Sequence, residues 1–289
     1  MSLLFWASSA TFFMNLRGLP EMQIMSMVFL VAFAACSVSN TISGSWKKSL
    51  RAPVSTLVFL LFGVILQQII YVCAVSNAPP AEVDVIVYIW PIVSILLSFI
   101  AFRTKFTMLQ LVSVFLGIGA VALVMKGKVG FGNASIGHYL ALLSAILWGI
   151  YSVMASKLPK MDCSQFTFIF LVGFIIAFAY HTYFEKFVWP DVTQCCMIVY
   201  IGVLPNLAAY LLWTNAMQSK TASSLLIIAY SKPIASVTLL CIFGYVEASW
   251  ALAAATIMVF VSGVLSASDN LKLRWGSITF QNLPFMNYK

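Results

Sequence analysis

One pattern occurs twice in this chain, at positions 142 residues apart. The segment from Tyr88 to Ser94 (YIWPIVS) is repeated by the segment from Tyr230 to Ser236 (YSKPIAS), and both lie inside long apolar stretches. The same offset relates several further pairs, namely Trp6 with Trp148, Tyr71 with Trp213 and Ala74 with Ala216. A single offset across this much of the chain indicates an internal repeat, so we expect a fold built from two similar halves.

The chain is too apolar to be a water-soluble protein of its size. Of its 289 residues 62% are hydrophobic and 8% are charged, and the mean hydropathy is +0.99. A helix needs about 20 apolar residues to cross the hydrocarbon core, and the stretches lack the alternation of barrel strands. We therefore predict ten membrane-spanning helices, at residues 2–16, 21–41, 54–76, 81–102, 107–125, 137–157, 164–184, 193–217, 221–243 and 247–267.

Each half of the chain holds five predicted spans, and five is an odd number. The second half must therefore enter the membrane from the side opposite to the first, which makes the repeat an inverted one. The predicted fold class is an all-α polytopic membrane protein with ten transmembrane helices in two inverted five-helix repeats. The first repeat is predicted at 1–125, the connecting loop at 126–136, the second repeat at 137–267 and a C-terminal tail at 268–289.

The basic residues predict which way the chain is oriented. Eleven Lys and Arg residues fall in the tail and in the loops after the even-numbered spans, and only Arg17, Lys126, Lys128 and Lys186 fall in the opposite loops. Because basic residues concentrate on the cytoplasmic side, both termini are predicted to be cytoplasmic. The first span is short, so we expect either a misplaced start or a truncated N-terminus; a cleaved signal peptide would break the parity of the repeat.

No motif predicts an enzyme or a bound cofactor. The sequence has no phosphate-binding glycine loop, zinc signature or Ser/His/Asp constellation. The six cysteines, His138 and His181 are interpreted as packing or interfacial residues. The net charge of +8 is concentrated in the loops, where anionic lipid headgroups account for it, so no nucleic acid is expected as a partner.

The repeated prolines interrupt helical hydrogen bonding in mid-membrane. Pro91 has no N–H to donate to the carbonyl of Val87, and Pro233 has none for that of Ala229. These carbonyls could accept from a bound solute at the interface between the repeats, or the prolines could be ordinary kinks satisfied by nearby hydroxyls.

Lys232 is the residue that is most costly to bury in the membrane, at about 2.5–3.5 kcal/mol for a lysine at a helix centre. One interpretation is that it binds a carboxylate of the substrate or titrates during the cycle. The other is a structural pairing with Glu82 or Asp84, which begin the fourth span.

Aromatic and polar residues near the prolines predict a binding site. Aromatic residues around Trp90 and Trp148, including Tyr210 and Trp213, are expected to form a cage for a planar or cationic solute. Polar groups at membrane depth, such as Gln67, are expected to line the same cavity. The candidate substrate-binding residues are Tyr88, Trp90, Pro91, Trp148, Tyr151, Tyr230, Lys232, Asn206 and Gln68.

The chain resembles the drug/metabolite transporter superfamily, in particular its EamA-type members. The segments Glu82-Val83, Tyr88 to Pro91 and Ile146 to Tyr151 are similar to motifs of bacterial aromatic amino-acid exporters. The resemblance implies a bacterial inner-membrane protein in which Tyr88, Trp90 and Trp148 line a central cavity. Lys232 departs from the pattern, because the family usually has a neutral residue before this proline.

Three functional hypotheses are therefore open. The protein is an amino-acid exporter or facilitator that uses alternating access, a carrier of another anionic metabolite bound through Lys232, or a membrane sensor that docks a partner through its tail. The expected partners are a small-molecule substrate and the lipid bilayer, with the protein as a monomer or a homodimer.

Overall fold

The computed structural model describes the whole chain apart from residues 52, 103–107, 127–134, 156–157, 159, 219–230 and 276–289. The described residues form helices and their connections, without a β-strand. Hydrocarbon offers no hydrogen-bonding partner, so an apolar chain of this kind satisfies its backbone groups within helices. The predicted all-helical fold class is confirmed.

Twelve helices are present in this described part of the chain. They are α1 (Ser2–Asn15), α2 (Glu21–Ser43), α3 (Trp46–Leu50), α4 (Val54–Asn77), α5 (Pro80–Val87), α6 (Trp90–Phe102), α7 (Met108–Lys126), α8 (Ile136–Ala155), α9 (Cys163–Phe184), α10 (Val192–Met217), α11 (Lys232–Ile242) and α12 (Trp250–Trp275). Of these, α2, α4, α8, α9 and α10 are long and apolar enough to cross a membrane, as expected of a polytopic membrane protein.

The helices differ from the predicted spans at several points. The predicted span 81–102 is interrupted, because α5 ends at Val87 and α6 begins only at Trp90. Pro91 explains the break, since it lacks an N–H and disfavours helical geometry in the residue before it. Helix α11 covers the second half of span 221–243, whose residues 221–230 lie outside the described part. The short helix α3 was not predicted, and α12 extends beyond the predicted end at 267.

The most extensive helix packing joins helices at equivalent positions of the repeat. Helix α2 packs along α9, and α7 packs along α12. In both pairs the second helix begins 142 residues after the first. Helix α1 packs on α11 and α6 packs on α8, so helices of one half also contact helices of the other half.

Large apolar side chains cover much of the outer surface. Exposed examples lie on five different helices, namely Phe115, Ile150, Ile175, Leu212 and Ile257. An apolar surface this extensive is unfavourable in water and favourable against lipid tails.

Helices α9 and α10 begin with the same capping arrangement. Asp162 and Gln165 form a capping box, as do Asp191 and Gln194. Asp162 also forms an ion pair with Lys48 of α3, whose side chain is about half exposed. Burial raises the pKa of Asp162, but the hydrogen bonds from Lys48 and Ser164 outweigh this effect, so its pKa lies below the ordinary value.

The start of α8 lies directly against the turn between α4 and α5. A Cβ atom on Gly137 would come within 2.6 Å of the backbone carbonyl carbon of Asn77, so only glycine fits there. The neighbouring His138 accepts at Nδ1 from the backbone N–H of Ser135, and its Nε2 lies 3.0 Å from Oε2 of Glu82. Nε2 therefore carries the ring proton and donates it to Glu82, which fastens α8 to α5.

We expect Gly137→Ala to destabilise the protein by about 1–3 kcal/mol, because the added methyl group clashes with backbone that cannot move away. Gly119→Ala is the matched control, since its Cβ would meet only the flexible end of Met258, at 2.8 Å. Unfolding in mixed micelles should show a lower midpoint for Gly137→Ala and little change for Gly119→Ala. Equal midpoints for the two variants would contradict this packing.

Candidate functional site

Two helices begin at equivalent repeat positions in the middle of the protein. Helix α6 begins at Trp90 and α11 begins at Lys232, 142 residues later, and in each the second residue is proline. Proline suits the first turn of a helix, where its missing N–H costs nothing. The breaks therefore place Trp90 and Lys232 at helix starts rather than within continuous helices.

A cavity lies beside these two helix starts. Its empty volume, including the open mouth, is about 650 Å³. Side chains of α1, α4, α5, α6, α8, α10 and α11 form its wall, namely Leu3, Trp6, Ser9, Gln67, Gln68, Tyr71, Val87, Tyr88, Trp90, Trp148, Pro205, Tyr210, Trp213 and Lys232. A mostly apolar wall with a few converging polar groups is typical of small-molecule sites.

A cluster of aromatic rings forms much of this wall. The ring centroids of Trp6 and Trp148 are 5.2 Å apart, and Trp6 also lies 5.5 Å from Tyr210 and 5.6 Å from Trp213. Trp90 contacts the cluster through Trp213, at 6.1 Å. Most of these contacts are edge-to-face, a favourable geometry for aromatic pairs. The rings therefore hold one another in place and present their remaining faces to the cavity.

A close helix crossing brings Trp90 and Trp148 to the same wall. A Cβ on Gly149 would lie 3.0 Å from the carbonyl oxygen of Trp90, so the glycine lets α6 approach α8 closely. The hydroxyl of Ser94 donates to the carbonyl oxygens of both Trp90 and Gly149, at 3.1 and 3.3 Å. Ser94 thereby ties the two backbones together beside the helix break.

Lys232 forms a buried ion pair with Asp84. Its Nζ lies 3.1 Å from Oδ1, and the two side chains are 6% and 0% exposed. The Tyr71 hydroxyl donates to the same carboxylate at 3.0 Å, and the Ser236 hydroxyl donates to its second oxygen. The Tyr88 ring lies 4.9 Å from Nζ. Both oxygens of Asp84 thus have donors, which is what a buried carboxylate requires.

This pairing is one of the two alternatives predicted for Asp84 and Glu82, since Glu82 contacts His138 instead. Lys232 nevertheless also lines the cavity, whereas Asp84 lies behind the wall. The structural and the substrate-binding interpretations of Lys232 are therefore compatible.

A belt of hydrogen bonds crosses the cavity wall between α4, α8 and α10. The Tyr210 hydroxyl is 2.9 Å from Oε1 of Gln67 and 3.1 Å from Oε1 of Gln68. The amide of Gln67 donates to the hydroxyl of Ser144 at 2.9 Å. These bonds satisfy polar groups at a depth where water is scarce and fix the orientation of both glutamines.

Both long helices beside the cavity widen locally into a π turn, α4 at Leu61–Leu66 and α10 at Gly202–Ala208. In α10 the turn contains Pro205, whose carbonyl oxygen accepts from Nε1 of Trp6 at 2.9 Å. Pro205 has no N–H to donate to the carbonyl of Ile201, and the side-chain amide of Asn206 donates there instead, at 3.2 Å. π turns of this kind are frequent at functional sites.

Five of the nine predicted site residues line the cavity, namely Gln68, Tyr88, Trp90, Trp148 and Lys232. Pro91 lies in the helix start rather than in the wall, and Asn206 completes the backbone bonding of α10. Tyr151 is fully buried behind the wall, where it stacks on Phe59 and pairs with the Thr214 hydroxyl at 2.6 Å. Tyr230 lies outside the described residues.

Several wall residues are absent from the predicted site, among them Trp6, Tyr71, Tyr210 and Trp213. The repeat contains the signal that would have found them. The 142-residue offset relates Trp6 to Trp148, Gln68 to Tyr210 and Tyr71 to Trp213, and all six line the cavity.

Metal-binding groups are not part of this site. No cluster of three or more His, Cys, Asp or Glu side chains able to hold a metal ion occurs among the described residues. Chemistry at the cavity wall is therefore described by its aromatic rings, amides and one ion pair.

We expect the Asp84–Lys232 pair to be strongly coupled in stability. Asp84→Asn or Lys232→Met alone should cost about 3–5 kcal/mol, because each leaves its partner's charge buried and unpaired. The double variant should cost much less than the sum of the two. The exposed pair Lys48–Asp162 is the control, whose coupling should stay below about 1 kcal/mol. Denaturation in mixed micelles measures both cycles, and additive effects at Asp84 and Lys232 would contradict the pairing.

Comparison with known proteins places this cavity in a family of carriers. The model of the EamA-like transporter family matches residues 1–126 and 135–268. The chain is 24% identical over 262 residues to the aromatic amino acid exporter YddG of Ancylobacter novellus, covering 89% of this chain and 91% of that protein. It is 25% identical over 246 residues to an uncharacterized transporter of Archaeoglobus fulgidus, covering 81% of this chain and 83% of that protein.

The fold is also shared with a solved structure. A crystal structure that is 22% identical in sequence superposes with a TM-score of 0.72 and covers 96% of both chains. Since the family model matches nearly the whole sequence in two successive segments, the chain belongs to the EamA-like transporter family.

Proposed function

We propose that the protein is a secondary transporter that moves a small amino acid through the central cavity by alternating access, as an exporter or a facilitator. The single observation that carries this proposal is that equivalent positions of the two halves meet at the cavity. Trp6 contacts Trp148, and Tyr210 donates to Gln68. Residues related by a two-fold axis touch each other only near that axis, so these contacts support a site on the axis between the repeats.

The proposed architecture is ten transmembrane helices in two inverted repeats, at 1–125 and 137–267. The packing of α2 on α9 and of α7 on α12 supports it, because both pairs join equivalent helices of the two halves. Helix starts at Trp90 and Lys232 resemble the discontinuous helices that form substrate sites in transporters with inverted repeats. In this arrangement one repeat rocks against the other around a fixed site.

The chemistry of the wall supports an amino acid as the cargo. The aromatic cluster offers an apolar surface for a side chain, and Lys232 offers a donor for a carboxylate. In addition, Nε1 of the buried Trp213 has no acceptor within the described residues, so it can donate to a bound solute. The relative from Ancylobacter novellus is named as an aromatic amino acid exporter, which makes aromatic amino acids the first cargo to test.

The other two hypotheses have less support. A carrier of anionic metabolites would need an excess of positive charge at the site, whereas Asp84 neutralises Lys232. A sensor that docks through its tail would not need a cavity with an unpaired donor, and residues 276–289 of that tail lie outside the described part of the chain.

In liposomes the purified protein should show saturable flux of phenylalanine or tryptophan. We expect Trp148→Ala to lower this flux by more than about tenfold, because buried aromatic anchors dominate the binding of apolar groups. Trp189→Ala is the matched control, since that side chain is 85% exposed and distant from the wall, and its flux should match the wild type. Equal flux from both variants would contradict a cavity route.

The proposed orientation places both termini in the cytoplasm of a bacterial inner membrane. Impermeant thiol reagents applied to intact cells, in a background without the native cysteines, should label Lys186→Cys and should leave Lys47→Cys unlabelled until the cells are opened. The opposite pattern would contradict the orientation.

A further inference from the structure

We propose that the Asp84–Lys232 ion pair sets the charge selectivity of the cavity, so that it accepts zwitterionic amino acids and discriminates against the acid or the amine that has the same side chain. This inference rests on the proposed function, because it concerns the cargo of the same site.

The charges at the cavity sum to zero. Lys232 is the only charged residue in the described part of the wall, and its Nζ contacts Asp84 directly behind it at 3.1 Å. The pair lies among Tyr71, Tyr88 and Ser236, which are polar or aromatic but uncharged. Since both charges are almost fully shielded from solvent, their field reaches the cavity with little screening.

Asp84 holds the lysine in place rather than contacting the cargo. The carboxylate is fully buried and receives three hydrogen bonds, from α4 and α11. The Lys232 ammonium has three N–H groups, and within the described residues one of them is given to Asp84. The lysine also lines the cavity, so a remaining N–H can donate to a carboxylate there. Asp84 is therefore a positioning residue that also cancels the charge of Lys232.

The aromatic wall completes a site for a zwitterion. The faces of Trp148, Trp213 and Tyr88 attract an ammonium group through their π electrons, without adding a formal charge. An amino acid would thus place its carboxylate at Lys232 and its ammonium against the rings, and the occupied site would remain neutral. A carboxylic acid or an amine would leave one net charge in a poorly solvated cavity, which is unfavourable.

The test compares three ligands with one side chain: phenylalanine, 3-phenylpropionate and phenethylamine. Binding to the purified protein in nanodiscs is measured by quenching of tryptophan fluorescence. The wild type should bind phenylalanine at least about tenfold more tightly than the other two, since a unit charge a few ångströms from an uncompensated one is worth more than that factor.

The variants should shift the preference in opposite directions. Asp84→Asn leaves the site positive, so 3-phenylpropionate should gain relative to phenethylamine by about tenfold or more, and Lys232→Gln leaves it negative and should produce the reverse. The double variant should return to a preference without charge bias. Asp162→Asn and Lys48→Gln make the same chemical changes in the exposed pair and should keep the wild-type order.

The outcomes separate the inference from the proposed function. Binding of phenylalanine without discrimination against the acid and the amine would overturn the inference alone, as would parallel weakening of all three ligands in folded single variants. Failure of the wild type to bind any of the three would overturn the proposed amino-acid cargo and the inference with it. If Asp84→Asn does not fold, the wild-type order and Lys232→Gln decide the question.

Discussion

The membrane requires every backbone polar group to find a partner within the protein, and this requirement explains where the helices are irregular. The break before Trp90, the helix start at Lys232 and the π turns of α4 and α10 all lie beside one cavity. Each exception has a local solution, such as the Asn206 amide on the carbonyl of Ile201 or the Ser94 hydroxyl on that of Trp90. Irregular backbone is thus confined to the place where a solute can use it.

The same requirement governs the charges. A lysine in the membrane interior is tolerated when a partner neutralises it, and Asp84 does so from behind the cavity wall with Tyr71 and Ser236 as additional donors. The cost of burying the pair is balanced by these bonds, so its presence does not by itself indicate added stability. In our proposal its value is functional, because it places a donor for carboxylates in the cavity without making the cavity positive.

The helical class, most helix positions and five of the nine site residues were predictable from the sequence, because apolar length and a fixed repeat offset are strong signals. The break at Tyr88 and Ile89 was not predicted, although Pro91 was recognised, since a proline can kink a helix as well as end one. Tyr151 and Asn206 were assigned to the site by residue type, which does not reveal that one packs over Gly63 and the other bonds to Ile201. The choice between Glu82 and Asp84 as the partner of Lys232 also needed coordinates, because both lie on α5.

The central claim is that the cavity between the two halves is where the cargo binds. An experimental structure of the protein with phenylalanine bound tests this most directly. The account predicts the carboxylate of the ligand at Nζ of Lys232 and its ring against Trp148 and Trp213, with Asp84 still paired to the lysine. A ligand bound elsewhere, with this cavity filled only by the protein's own side chains, would contradict the account.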